Sequence, residues 1–184
     1  IRQKTQDYIK ALNHFCGDLG AKIMIHGSPA QRNIQKGWDR EECWKYAVDI
    51  FANCTKEMAK NDVTYCIEAL TTKETNILTS ISEALRMVAD VNHPNFQTML
   101  DTKAAAAENK PHVDVIAEAG KAMRHVHVND PNLRAPGFGD LQFSSILQAL
   151  KDRHYDGYVS VEVFNFKPDA QTIAARSIGY LKGI

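Results

Sequence analysis

The segment YVSVEVF, residues 158–164, alternates apolar and polar side chains as a β-strand with two unlike faces does. Its three valines share one face, whereas Ser160 and Glu162 share the other. Four further segments also oppose an apolar face to a mixed face: KIMIHGS (22–28), VTYCIEAL (63–70), FQTMLDT (96–102) and MRHVHVN (123–129). In every segment the mixed face ends, towards the C-terminus, in an ionisable side chain.

Segments with helical spacing precede, separate and follow these strands, at residues 3–18, 39–60, 74–90, 112–123, 141–153 and 169–183. Strict alternation predicts an α/β fold with a parallel sheet, either an open doubly wound sheet or part of a (β/α)8 TIM barrel. An open sheet carries helices on both sides and needs two apolar faces, whereas a barrel carries helices only outside. The unlike faces favour the barrel, with residues 1–184 as one partial barrel domain.

Composition narrows the class of protein. The 184 residues are 44% hydrophobic and 24% charged, with zero formal net charge, so a nucleic-acid partner is not expected. No apolar run reaches the ~18 residues of a membrane span. The four cysteines form no CxxC pair and are interpreted as reduced core thiols of a cytoplasmic protein.

The strand pattern also predicts a site at one rim of the barrel. It assigns one ionisable side chain to the C-terminal end of each strand: His26, Glu68, Asp101, His127 and Glu162. Carboxylates with an imidazole suit Mn²⁺, Mg²⁺, Co²⁺ or Zn²⁺, and a cation relieves the repulsion among three carboxylates. Two carboxylates that face each other can serve as base and acid.

Three other residues near this rim have open interpretations. His125 is expected to be a hydrogen-bonded interior histidine beneath His127. For His26, a substrate contact and a plain rim residue are equally good interpretations. Arg134, in the loop that follows the histidines, is either a solvated charge or a clamp for a substrate oxygen.

The assembled residues resemble the xylose-isomerase-like barrel superfamily, in its group of sugar phosphate isomerases and epimerases. The resemblance extends over the whole chain and is strongest in CIEAL (66–70), MLDTK (99–103), HVHVND (125–130), PGFGD (136–140) and YDGYVSVEVF (155–164). It implies a single divalent metal ion, Mn²⁺ foremost, held by four ligands: Glu68, Asp101, His127 and Glu162. It further implies that Glu68 and Glu162 move protons next to the carbonyl of a sugar-like substrate, and that Glu74 and Arg134 contact that substrate.

The sequence departs from this family in two respects. Thr102, Lys103 and Ala104 follow Asp101, whereas many members have a histidine three residues after the metal aspartate. Eight βα units need about 270 residues, so this chain is expected to supply about the last five units, with N-terminal strands missing and two sheet edges unpaired. Truncation and completion by another chain, including a homo-oligomer, both remain open.

The leading hypothesis is therefore a metal-dependent sugar isomerase or epimerase. A dehydratase of the keto-inositol or dehydroshikimate type would use the same metal and base. An abasic-site endonuclease and a partial barrel without catalytic activity are the remaining alternatives.

Overall fold

The computed structural model describes residues 1–184 and contains one five-stranded parallel sheet with the strand order β1-β2-β3-β4-β5. The strands are β1 (Ile23–His26), β2 (Thr64–Ile67), β3 (Phe96–Asp101), β4 (Met123–Val128) and β5 (Val159–Val161). The helices are α1 (Arg2–Asp18), α2 (Arg40–Ala52), α3 (Thr55–Lys60), α4 (Ile81–Val91), α5 (Thr102–Ala105), α6 (His112–Ala119), α7 (Phe143–Asp152) and α8 (Ala170–Lys182). None of these helices has the length and apolarity needed to cross a bilayer.

The hydrophobic core lies between the outer face of the sheet and the helices. Tyr65, Ile67 and Phe96 pack against α1 to α4 in one buried cluster, and Val126 and Val128 pack against α6 and α7 in a second. Helices thus cover one face, and the sheet forms a half-barrel whose inner face carries the polar residues. The predicted partial TIM barrel is confirmed, and the strand order follows the chain order, as in a barrel wall.

The side chains of β1 face the opposite way from the prediction. In the register of β1 with β2, His26 lies beside Ile67, and Met24 lies beside Tyr65. Neighbouring residues in a parallel pair point to the same side, so Met24 and His26 face the helices rather than the barrel interior. The prediction that His26 shares the inner face with Glu68 is therefore wrong.

Two helix boundaries also differ from the predictions. The single helix expected over 39–60 breaks after Ala52, because the Asn53 amide bonds Asp49 O and the Thr55 hydroxyl bonds Ala52 O, in competition with the helical ladder. The helix expected over 74–90 begins only at Ile81. Ser80 caps it by accepting from Glu83 N, and the Glu83 carboxylate accepts from Thr79 N.

Candidate metal centre

Four side chains meet at the C-terminal edge of the sheet, one from each of β2 to β5. Glu68 and Glu162 lie directly after their strands. Asp101 is the last residue of β3, and His127 is the second-to-last residue of β4. A ligand atom of each lies within 4.8 Å of those of the others. The structure thus brings together four of the five residues predicted for the rim and leaves out His26.

The local structure fixes each carboxylate differently. Glu68 is 4% exposed, and its backbone N–H donates to His26 O across the β1–β2 pair. Asp101 is equally buried and caps α5, because its Oδ1 accepts from Ala104 N at 2.7 Å. The side chain of Glu162 is about one-third exposed.

His127 lies between the two glutamates. Its Nδ1 is 3.5 Å from Glu68 Oε1 and 3.3 Å from Glu162 Oε2. β4 carries an extra residue at this point, since Thr98 pairs with Met123 but Leu100 pairs with Val126. This bulge places Arg124 and His125 opposite the single residue Met99 and re-aims the strand end towards the site.

His125 lies one layer beneath His127, as expected, with the ring centroids 5.1 Å apart. It is 8% exposed, and burial lowers its pKa to about 4, so its ring is neutral at pH 7. Its Nδ1 has no hydrogen-bond partner, and the expectation that this histidine is hydrogen-bonded is not met at that atom.

The cluster combines three carboxylic acids with a single imidazole, and this arrangement shifts the pKa values of its members. Burial raises the pKa of Asp101 to about 6, and nearby Glu68 adds to the rise. Burial opposes the charge on His127, but the adjacent Glu162 and Glu68 carboxylates prevail and raise its pKa to about 10. The neighbouring His127 imidazole holds the pKa of Glu162 below its usual range.

This donor set fits a divalent cation. Hard carboxylate oxygens and one imidazole nitrogen are common ligands of Mn²⁺, Mg²⁺, Co²⁺ and Zn²⁺. The Nδ1 atom of His127 is buried and lacks a hydrogen bond of good geometry, yet it is aimed at the carboxylates. A cation among these atoms would satisfy that nitrogen and offset the carboxylate charges.

His26 lies outside this cluster. Its Nδ1 is 2.7 Å from the Tyr65 hydroxyl, and its ring packs edge-on against Phe51 and Tyr65. Burial, with the Arg32 charge nearby, lowers the pKa of His26 to about 4. Its environment is that of a structural histidine between sheet and helices, so the substrate-contact interpretation finds no support.

The other two proposed substrate residues are on the rim but already have partners. Glu74 Oε1 accepts from Lys103 Nζ at 2.6 Å, and Oε2 accepts from the Thr71 backbone and hydroxyl. Arg134 lies over the Phe138 ring, 4.8 Å from its centroid, and Arg176 of α8 approaches the same ring at 4.3 Å. Neither residue forms a hydrogen bond or an ion pair with the four clustered side chains.

Several residues at the site are not predicted by the sequence pattern. Asn129 donates to Asp101, and Lys103 lies nearby with its side chain only 8% exposed. Arg32 donates to the carbonyl oxygens of His26 and Glu68 and so joins the ends of β1 and β2. Asn129 carried a signal, because it continues the period-two pattern of HVHVN by one residue; Arg32 lies in an irregular loop and carried none.

Comparison with known proteins agrees with this geometry. The sequence model of the family described as xylose isomerase-like TIM barrel matches residues 1–184. The D-psicose 3-epimerase of Agrobacterium fabrum is 35% identical over 102 residues, which are 55% of this chain and 35% of that protein. The D-psicose 3-epimerase of Ruminiclostridium cellulolyticum is 29% identical over 126 residues, 68% of this chain and 43% of its own length.

The backbone of this chain is also similar to the backbones of solved structures. A D-psicose 3-epimerase from Clostridium cellulolyticum, crystallised with D-tagatose, superposes with a TM-score of 0.82 over 97% of this chain, at 24% identity. The superposition covers 62% of that chain, and the two D-psicose 3-epimerases named above are each matched over less than half of their length. At this identity the structural match establishes the fold alone.

Proposed function

This chain belongs to the xylose isomerase-like TIM barrel family, and on that premise we propose that it is a divalent-metal-dependent sugar epimerase or isomerase of the ketose 3-epimerase type. The observation that carries the proposal is the cluster of Glu68, Asp101, His127 and Glu162, with ligand atoms within 4.8 Å of one another. The similar epimerases support the class of reaction. The substrate is proposed to be a sugar, sugar phosphate or related polyol ketone.

The four clustered side chains would hold one cation, and Mn²⁺ is the proposed ion. When bound, the ion polarises carbonyl and hydroxyl oxygens of the sugar as a Lewis acid. All further chemistry falls to side chains of the chain. Glu68 and Glu162 are proposed as the catalytic pair, because they come from the two outer strands of the cluster and lie on opposite sides of Asp101 and His127.

Proton transfer by this pair inverts one carbon. One glutamate carboxylate removes the proton from the carbon next to the carbonyl, and the electron pair of the C–H bond moves towards the carbonyl oxygen. The other glutamate, in its protonated form, returns a proton to the opposite face of the same carbon. The C–H bond that breaks is replaced by one of opposite configuration, and no redox partner is needed.

The proposed surroundings of the substrate are the rim residues. Glu74 and Arg134 are proposed sugar contacts, although each would act from within its present pairing. Ala104 stands three residues after Asp101, where many members of the family have a histidine, so the contact at this side of the sugar is proposed to differ from theirs. The free, mostly buried cysteines are compatible with the proposed cytoplasmic location.

Solvent exchange tests the proposal directly. The chain, supplied with Mn²⁺ or Co²⁺, is incubated in D₂O with ketoses, ketose phosphates and inososes, and deuterium at the carbon next to the carbonyl is followed by NMR. Incorporation with inversion is expected for at least one substrate. Loss of water instead of inversion would indicate a dehydratase, and absence of exchange across the panel while Mn²⁺ is bound would refute the proposal.

A further inference from the structure

A single buried amide contacts two of the four clustered side chains. Asn129 follows the last residue of β4 and is fully buried. Its Nδ2 donates to Asp101 Oδ2 at 2.6 Å and to Glu162 Oε2 at 3.3 Å. A primary amide has two N–H donors, so one group serves a carboxylate from each neighbouring strand.

The orientation of this amide is fixed by its other end. Asn129 Oδ1 accepts from the backbone N–H of Lys103 at 2.9 Å. A backbone N–H can only donate, so the oxygen must face Lys103 and the NH₂ group must face the carboxylates. The Thr102 hydroxyl donates to Asn129 O at 2.6 Å and accepts from Asn129 N at 2.9 Å, which joins the two backbones as well.

We propose that Asn129 is a positioning residue of the metal centre, which holds the Asp101 and Glu162 carboxylates in one mutual orientation with the Thr102 hydroxyl as its support. The amide occupies one oxygen of each carboxylate and leaves Asp101 Oδ1 to the α5 cap. The amide carries no charge, so it bridges the two carboxylates without placing a positive charge that would compete with a bound cation. Partners of this kind orient metal ligands in proteins generally.

Two consequences follow for the site. The affinity for a divalent cation depends on Asn129, because carboxylates that the amide does not hold must become ordered when the ion binds. The rate of proton transfer also depends on it, since Glu162 is the proposed acid or base; this second consequence rests on the proposed function, whereas the first does not.

Calorimetric titration with Mn²⁺ tests the first consequence. Asn129→Ala removes both donors, and we expect Mn²⁺ affinity to fall about 10- to 100-fold. Thr102→Val removes only the supporting hydroxyl and is expected to weaken binding less, while Thr102→Ser keeps it and should bind as wild type does. Asn13→Ala is the matched control, because Asn13 is equally buried but donates only to Ile9 O within α1.

The outcomes separate clearly. Affinity within about threefold of wild type for folded Asn129→Ala overturns the inference. If that variant does not fold, Thr102→Val decides in the same way, with Thr102→Ser as its reference. An equal loss in Asn13→Ala would show a general stability effect and would also overturn it.

A second readout separates positioning from the proposed reaction. At Mn²⁺ concentrations that saturate every variant, we expect kcat for deuterium exchange to fall in Asn129→Ala while KM for the sugar is unchanged. Wild-type protein that binds Mn²⁺ but exchanges no proton refutes the epimerase proposal and leaves the affinity result standing. Wild-type protein that binds no Mn²⁺ overturns both.

Discussion

Gly27 offers a test of the metal centre from outside it. The residue follows β1, and its backbone does not adopt a positive φ, so local conformation does not require glycine. A Cβ at this position would lie deep inside van der Waals contact of Glu68 Oε2 and 2.9 Å from its Cδ. Gly27→Ala must therefore displace the carboxylate by more than about 1 Å.

The expected effect is large at the site and small elsewhere. Loss of Glu68 from its position should lower Mn²⁺ affinity about 10-fold or more, and a misplacement of this size costs about 100-fold in rate when the group is catalytic. The free energy of unfolding should change little. Alanine lowers the conformational entropy of the unfolded chain, which stabilises the native state by about 0.4–1 kcal/mol and offsets the local strain.

The assay is Mn²⁺ titration alongside thermal unfolding. Gly179→Ala is the matched control, because a Cβ at Gly179, inside α8, meets no atom within 4 Å. It should bind Mn²⁺ as wild type does and be slightly more stable. Wild-type Mn²⁺ affinity in Gly27→Ala would contradict the placement of Glu68 as a ligand beside β1.

Three further predictions concern other parts of the chain. Glu162→Gln and His127→Ala should each lose bound metal, measured by elemental analysis after dialysis, and unchanged metal in both would refute the ligand assignment. The native pKa of His26 is about 4, so the unfolded state binds more protons than the native state between pH 6.5 and 4, and the free energy of unfolding falls as the pH drops through this range. His26→Gln should make that fall smaller by up to about 3 kcal/mol. An identical pH dependence, followed by urea denaturation, would speak against its buried neutral state. Ser80→Ala should lower the unfolding free energy by about 1 kcal/mol through loss of the α4 cap, with exposed Ser144→Ala unchanged as control.

The outer sheet face and the cluster of four side chains were predictable because β2 to β5 each oppose an apolar face to a mixed face that leads to an ionisable residue. β1 was not, since Ile23, Met24 and Ile25 are all apolar and only the register with β2 decides which of them face inwards. The residues Ile23 and Ile25 line the open interior, where exposure is intermediate and a hydrophobic side chain is tolerated.

The start of α4 had a signal in the sequence, but helical periodicity outweighed it. The sequence SISE, residues 80–83, is a capping box and indicates the true start of α4, although helical spacing continued upstream of it. The bulge in β4 and the role of Asn129 depend on contacts between strands about 27 residues apart, such as Asn129 with Asp101 and Thr102. No local pattern reports contacts of that kind.

Each of the four clustered side chains belongs to a different βα unit, and Glu68 and Glu162 are the outermost of them. A cation held there would tie the ends of four consecutive strands into one cooperative unit, although each strand pairs only with its neighbours. A ligand that binds only the native state adds about 2.7 kcal/mol to the free energy of unfolding when its concentration is 100 times its dissociation constant. Half of a barrel wall, with an unpaired edge on either side, would then resist local unfolding more strongly as the metal concentration of its surroundings rises, with the logarithm of that concentration.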